Sequence, residues 1–125
     1  MNNGTMRPHR LSGVPGPVFV HRRVAENARK AIHNGETLQG LAQIFKMLGD
    51  ETRLKICLVL ARHELCVSDV AGLVGLSESA VSHQLRIMKA MRLVTYRKEG
   101  KMTFYMLDDD HIEELIRLGV RHVCE

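Results

Sequence analysis

From Val24 onward, apolar residues recur at helical spacing in successive blocks, give way once to two strand-like runs, and return to helical spacing at the chain end. Residues 1–20 show no such period. They are polar and punctuated by Gly13, Pro15, Gly16 and Pro17, the composition of a flexible arm. Val24, Ala25, Ala28, Ala31 and Ile32 predict a helix over 22–33, closed by Asn34-Gly35. Leu38, Leu41, Phe45 and Leu48 form one stripe of a second helix over 38–48, which Gly49 ends. Asp50 then caps a third, from Glu51 to about His63. Its centre, Leu54 to Ala61, is almost continuously apolar, so it is a core helix and Cys57 within it reads as packing.

The stretch Val67 to Arg86 reads as a short helix, a Gly75-Leu76 turn and a second helix capped by Ser77, which is a helix-turn-helix. In the second helix Val81, Leu85 and Met88 make the buried stripe, while Ser79, Ser82, His83 and Arg86 recur on the opposite side. Small hydroxyls allow close approach to base edges, and His83, Gln84 and Arg86 can donate to bases or phosphates. Two serines on one face are mildly costly to a helix unless they are used. Residues 93–107 then form two short strands around Glu99-Gly100, with Arg97, Lys98 and Lys101 at the hairpin tip. A basic hairpin directly after a reading helix is the plan of a winged helix-turn-helix, mainly α with a β-hairpin wing that lies against phosphates or in the minor groove. One such unit binds weakly. A homodimer sets two reading helices about 34 Å apart, on an inverted repeat of double-stranded DNA.

The last block carries a different chemistry: Asp109-x-His111, ten residues, then His122-x-x-Glu125. These nitrogen and oxygen donors are of the kinds that bind zinc. Ile112, Leu115, Ile116 and Gly119 or Val120 give one amphipathic helix between the pairs, and Asp108-Asp109-Asp110 is a helix-start signal. At 1.5 Å per residue His111 and His122 lie roughly 16 Å apart, too far to share an ion. Both pairs serve one ion only if a second copy of the helix runs antiparallel, giving two equal sites across a twofold dimer. His122 and Glu125 share a face, and Asp109 joins His111 only from the N-cap or before it. Taken alone, the residues equally allow acids placed for the helix dipole and ordinary surface histidines.

Composition narrows the choice. At 125 residues and 45% hydrophobic content the chain is one domain's worth, residues 21–125, without room for a deep catalytic cleft plus a scaffold. No run approaches the roughly 20 apolar residues of a membrane span, so a cytoplasmic protein without a membrane partner is expected. Cys57, Cys66 and Cys124 form no CxxC pair and read as reduced thiols. Basic residues outnumber acidic ones over 1–107, whereas 108–125 carry two against six, which suits a polyanion partner for the body and a cation for the tail. A zinc hydrolase needs an open coordination position and a substrate cleft, and neither is visible, so no enzyme and no small-molecule substrate are expected. Two alternatives stay open: a redox- or persulfide-sensing repressor using Cys66 with Cys57 or Cys124, and a dimer whose zinc is structural.

Over about residues 37–125 the chain resembles the ArsR/SmtB family of metal-sensing repressors, most closely its SmtB-like zinc-sensing branch. The resemblance is carried by Leu48 to Leu54, Glu64 to Asp69, Ser77 to Arg86, and the complete Asp-x-His-x10-His-x2-Glu tail. It implies a repressor that holds operator DNA when metal-free and lets go when Zn(II) fills sites made by Asp109 and His111 of one chain with His122 and Glu125 of the other. Co(II) and Cd(II) are expected to substitute in the test tube. It places Glu78, Ser79, Ser82 and His83 against DNA, and runs a relay from the free nitrogen of His122 to the Arg92 carbonyl. It implies a second metal site at Cys66 and Asp69, completed from the partner's arm. The arm here has no cysteine, only His9 and His21. Cys124 and the main-chain carboxylate of Glu125 are further donors beside the tail site. Zinc efflux or sequestration genes are the implied targets.

Overall fold

The computed structural model describes residues 10–11, 14–16 and 18–125. Its contacts divide the chain into two units, Met1–Gly40 and Leu41–Glu125. In the first, β1 (Arg10–Leu11) and β2 (Val14–Pro15) pair antiparallel, Arg10 opposite Pro15 and Leu11 opposite Val14. Residues 1–9, 12–13 and 17 of the expected arm, His9 among them, lie outside the described residues.

Helix α1 is Arg22–Arg29, shorter than the apolar period suggested. Beyond it Lys30, Ala31 and Ile32 donate to Asn27, Ala28 and Arg29 at 3.0–3.2 Å, so the chain tightens into three-residue turns. Asn34 does not close α1 but opens α2 (Gly35–Leu48): its Oδ1 accepts the Thr37 N–H at 2.8 Å, satisfying one of the unpaired donors of the first turn. Of the expected α2 stripe only Leu48 is buried, joined by Met47, while Leu41 and Phe45 are about half exposed.

Asp50 caps α3 (Glu51–Leu60), its carboxylate accepting from Arg53 N at 3.0 Å. Helix α4 (Val67–Val74) stops at Gly75, whose φ of 75° is the left-handed closure that glycine adopts without steric cost. Ser77 Oγ then caps α5 (Glu78–Ala90) by accepting from Ala80 N at 3.1 Å. Strands β3 (Val94–Glu99) and β4 (Met102–Leu107) pair antiparallel from Val94 opposite Leu107 to Glu99 opposite Met102. The turn is therefore Gly100-Lys101, one residue later than expected, and Gly100 supplies its positive φ of 62°. Leu65 and Tyr105 exchange backbone bonds of 2.8 and 3.0 Å, which ties the α3–α4 loop to the wing.

Helix α6 (Asp110–Cys124) closes the fold, with Asp109 as its N-cap. Ile56, Cys57 and Leu60 of α3, Val70 and Ala71 of α4, Val81, Leu85 and Met88 of α5, Leu93 and Val94 at the wing, and Ile112 and Ile116 of α6 share one core. The apolar face of α5 is anchored in it, so its opposite face stands outward.

Candidate DNA-reading surface and metal-binding helix

On α5, Glu78, Ser79, His83 and Arg86 are exposed and Ser82 is partly buried, so the expected reading face points outward. Gln84 does not share it. Its Oε1 accepts from Arg53 Nε at 3.0 Å, across 31 residues of chain, and the side chain is partly buried. Arg53 was not among the candidates; the only local signal is its position three residues after the Asp50 cap.

The wing is more committed than its charge suggests. Arg97 donates through Nε to Glu64 and through Nη1 to Glu99, both at 2.6 Å, and its guanidinium lies 4.8 Å from the Phe104 ring centre. The hydrogen bonds to Glu99 and Glu64 push its pKa up, so the charge is held by the protein. Lys98 and Lys101 are exposed and have no ion-pair partner among the described residues. Lys89 at the end of α5 packs its ammonium 5.1 Å from the Tyr96 ring centre, fixing the wing to the reading helix.

Arg92, the expected relay position, has φ 61°, the one described non-glycine residue in the left-handed region. Its N–H bonds to Lys89 O at 3.0 Å and that of Leu93 to Met88 O at 2.9 Å, a Schellman closure of α5 normally given to glycine. Leu93 O in turn accepts from Asp108 N at 3.0 Å. The end of the reading helix and the start of α6 are thus joined through backbone.

At that start, Asp109 Oδ1 accepts from His111 N at 3.0 Å and Ile112 N at 3.2 Å, while Oδ2 lies 3.5 Å from His111 Nδ1. One carboxylate oxygen caps the helix and the other is beside the imidazole. His122 and Glu125 are exposed at the far end, where Arg121 Nε approaches Glu125 Oε2 at 3.8 Å. Glu113 and Arg117 pair between the two ends. No three metal-ligating side chains come together within one copy among the described residues. A cavity of about 380 Å³ beside the helix is lined by Leu48, Leu54, Leu58, Leu115, Ile116, Gly119, Val120, Val123 and Cys124.

The cysteines separate. Cys57 is buried, and burial pushes its thiol up to about 11. Cys66 is partly buried at the N-cap of α4, with Asp69 exposed in the first turn, and Cys124 is exposed.

A core-anchored helix offering a polar face, followed by a strapped basic hairpin, defines a winged helix-turn-helix DNA-binding protein. Residues 50–96 match the model of the arsR family of bacterial regulatory proteins. A transcriptional repressor described as an SmtB homolog, from Synechocystis sp., is 41% identical over 107 residues, 86% of this chain and 81% of that protein. A CadC homolog described as a cadmium resistance transcriptional regulatory protein, from Staphylococcus aureus, is 38% identical over 86% of this chain and 88% of its own. A homodimeric winged helix-turn-helix DNA-binding domain from Mycobacterium bovis superposes with a TM-score of 0.66 at 30% identity, over 77% of this chain and 84% of that one. The chain therefore belongs to the ArsR/SmtB family of metal-sensing transcriptional repressors.

Proposed function

We propose that this protein is a cytoplasmic zinc-responsive repressor: a homodimer that holds an inverted-repeat operator when metal-free and releases it when Zn(II) binds between the two α6 helices. The observation that carries the reading is the arrangement of α6. Asp109 and His111 are brought together at one end, His122 and Glu125 stand at the other, and one uninterrupted helix of 15 residues keeps the pairs apart.

The donor set fits the ion. Two imidazoles and two carboxylates match closed tetrahedral zinc, and all four side chains are exposed and can reach a second copy. The apolar face of α6 supports the dimer, because Leu118, Val120 and Val123 are exposed beside the lined cavity, an area that an isolated copy leaves in water. When bound, zinc supplies a cross-link between copies. The chain's own part is to carry that constraint to DNA. Asp109 sits one residue from the Asp108–Leu93 bond, and Leu93 follows Arg92 at the closed end of α5. His122 of the same site, with one nitrogen on the metal, keeps the other to donate toward the Arg92 carbonyl.

Ser79, Ser82, His83 and Arg86, with Glu78 beside them, take the base edges and nearby phosphates, and Lys98 and Lys101 take phosphates at the wing tip. Cys66 and Asp69 are two donors of a second site that a partner's arm would have to complete. The targets are genes of zinc efflux or sequestration.

The test is fluorescence anisotropy with an operator fragment from the DNA upstream of its own gene, at fixed salt, with and without stoichiometric Zn²⁺. Zinc is expected to weaken wild-type binding at least tenfold, about 1.4 kcal/mol of coupling, and to leave His111→Ala/His122→Ala bound. Zinc that changes neither protein's binding would reduce the site to a structural one.

A further inference from the structure

The Arg53–Gln84 bond is the one side-chain to side-chain hydrogen bond joining two helices among the described residues. Both ends are fixed from below. Arg53 is the third residue of α3, its own N–H held by the Asp50 cap at 3.0 Å. Gln84 is flanked by the fully buried Leu85 and stands one position from His83, which is exposed on the reading face. At about 100° per residue, a side chain next to both stripes lies on the border between them.

That border position has a mechanical consequence. The core contacts of Val81, Leu85 and Met88 hold α5 by one side, and they place no directional restraint of their own on its polar edge. A directional hydrogen bond from a charged guanidinium at the edge of the stripe acts as a lever against rotation about the helix axis. Base readout tolerates little rotation, since donors must meet base edges at hydrogen-bond distance, whereas phosphate contacts through long flexible cations tolerate more.

We infer that Arg53 is a positioning residue for operator reading: by holding Gln84 it sets the rotation of α5 and aims Ser79, Ser82, His83 and Arg86 at the groove. Gln84 in this view is a strut and not a base reader. The inference rests on α5 being the reading helix, and His83→Ala checks that separately, since it should weaken operator binding whatever Arg53 does.

The experiment measures the full-length dimer by anisotropy on operator and on scrambled DNA at several salt concentrations, for Arg53→Met, Gln84→Met, the double variant and Gln84→Glu. Urea unfolding of each variant runs alongside. Each single methionine variant should lower the operator-to-scrambled affinity ratio about fivefold, and the double variant no further, as for two residues acting as one unit. Gln84→Glu keeps the acceptor and should keep the wild-type ratio. Three results overturn the inference. Arg53→Met lowering both affinities equally, with a salt slope reduced by about two for the two copies of the dimer, makes Arg53 a phosphate contact. A lowered ratio in Gln84→Met but not in Arg53→Met makes Gln84 a base reader. A lower unfolding midpoint with an unchanged ratio leaves the bond purely structural.

Discussion

Asp109 holds two jobs on two oxygens, and substitution can separate them. Oδ1 accepts from the main-chain N–H groups of His111 and Ile112 at 3.0 and 3.2 Å, while Oδ2 faces His111 Nδ1. Asp109→Ala removes both. Losing the cap costs about 1 kcal/mol, and Asp108 and Asp110 remain to satisfy the helix dipole. Asp109→Asn keeps an acceptor oxygen of nearly equal capping strength, so its stability should fall by only a few tenths of a kcal/mol. It no longer offers a carboxylate to a metal, and its zinc affinity should drop at least about tenfold, the low end of what losing an outer partner alone costs. Urea unfolding in chelator, at one protein concentration because a dimer's apparent stability depends on it, reads the first effect. With a slope near 2 kcal/mol per molar, the alanine midpoint should fall by about half a molar. Competition with a chromophoric chelator reads the second. Should the alanine variant unfold where wild type does, the cap contributes nothing; should the asparagine variant bind zinc as tightly as wild type, Asp109 is not a ligand.

Other perturbations test other parts of the argument. Arg92→Gly removes a left-handed penalty of about 1–2 kcal/mol and adds glycine's unfolded-state freedom of roughly 0.5–1 kcal/mol, so the urea midpoint should rise slightly. The proposed relay would use the carbonyl of residue 92, so that variant should keep its zinc response, and a lost response would point to the arginine side chain. Lys98→Ala/Lys101→Ala removes four lysines from the homodimer and should lower the salt slope of DNA binding by about three to four on operator and scrambled DNA alike; an unchanged slope would take the wing tip off the phosphates. At pH 8, a thiol-alkylating reagent followed by mass spectrometry should label Cys124 in the native protein and Cys57 only after unfolding. Because burial raises the Cys57 pKa from 9.0 to about 11, its contribution is complete below pH 9 and is lost as pH rises through about 11. A Cys57→Ser comparison across that window checks the sign: the part of the stability loss due to ionisation of residue 57 should vanish in the variant.

Much of this molecule was legible before any coordinates, for a local reason. Asp50, Ser77 and Asp109 were readable as caps because a cap acts within three residues, and the core stripe of α5 because helical period repeats every turn. The tail spacing similarly limited one helix to two half-sites, since rise per residue is a constant of the helix. Asn34 is ambiguous in the sequence because Asn-Gly both ends and begins helices, and only the bond to Thr37 decides which. What tertiary structure alone decided were the partners of long side chains. Gln84 is hydrogen-bonded by Arg53, 31 residues away, and Arg97 is paired with Glu64, 33 residues away. Such pairs depend on where packed helices and strands end up, and neither residue's own neighbourhood carries that information. The proposed zinc site lies at the same limit: one helix would supply its halves, and only the packing of two copies would join them.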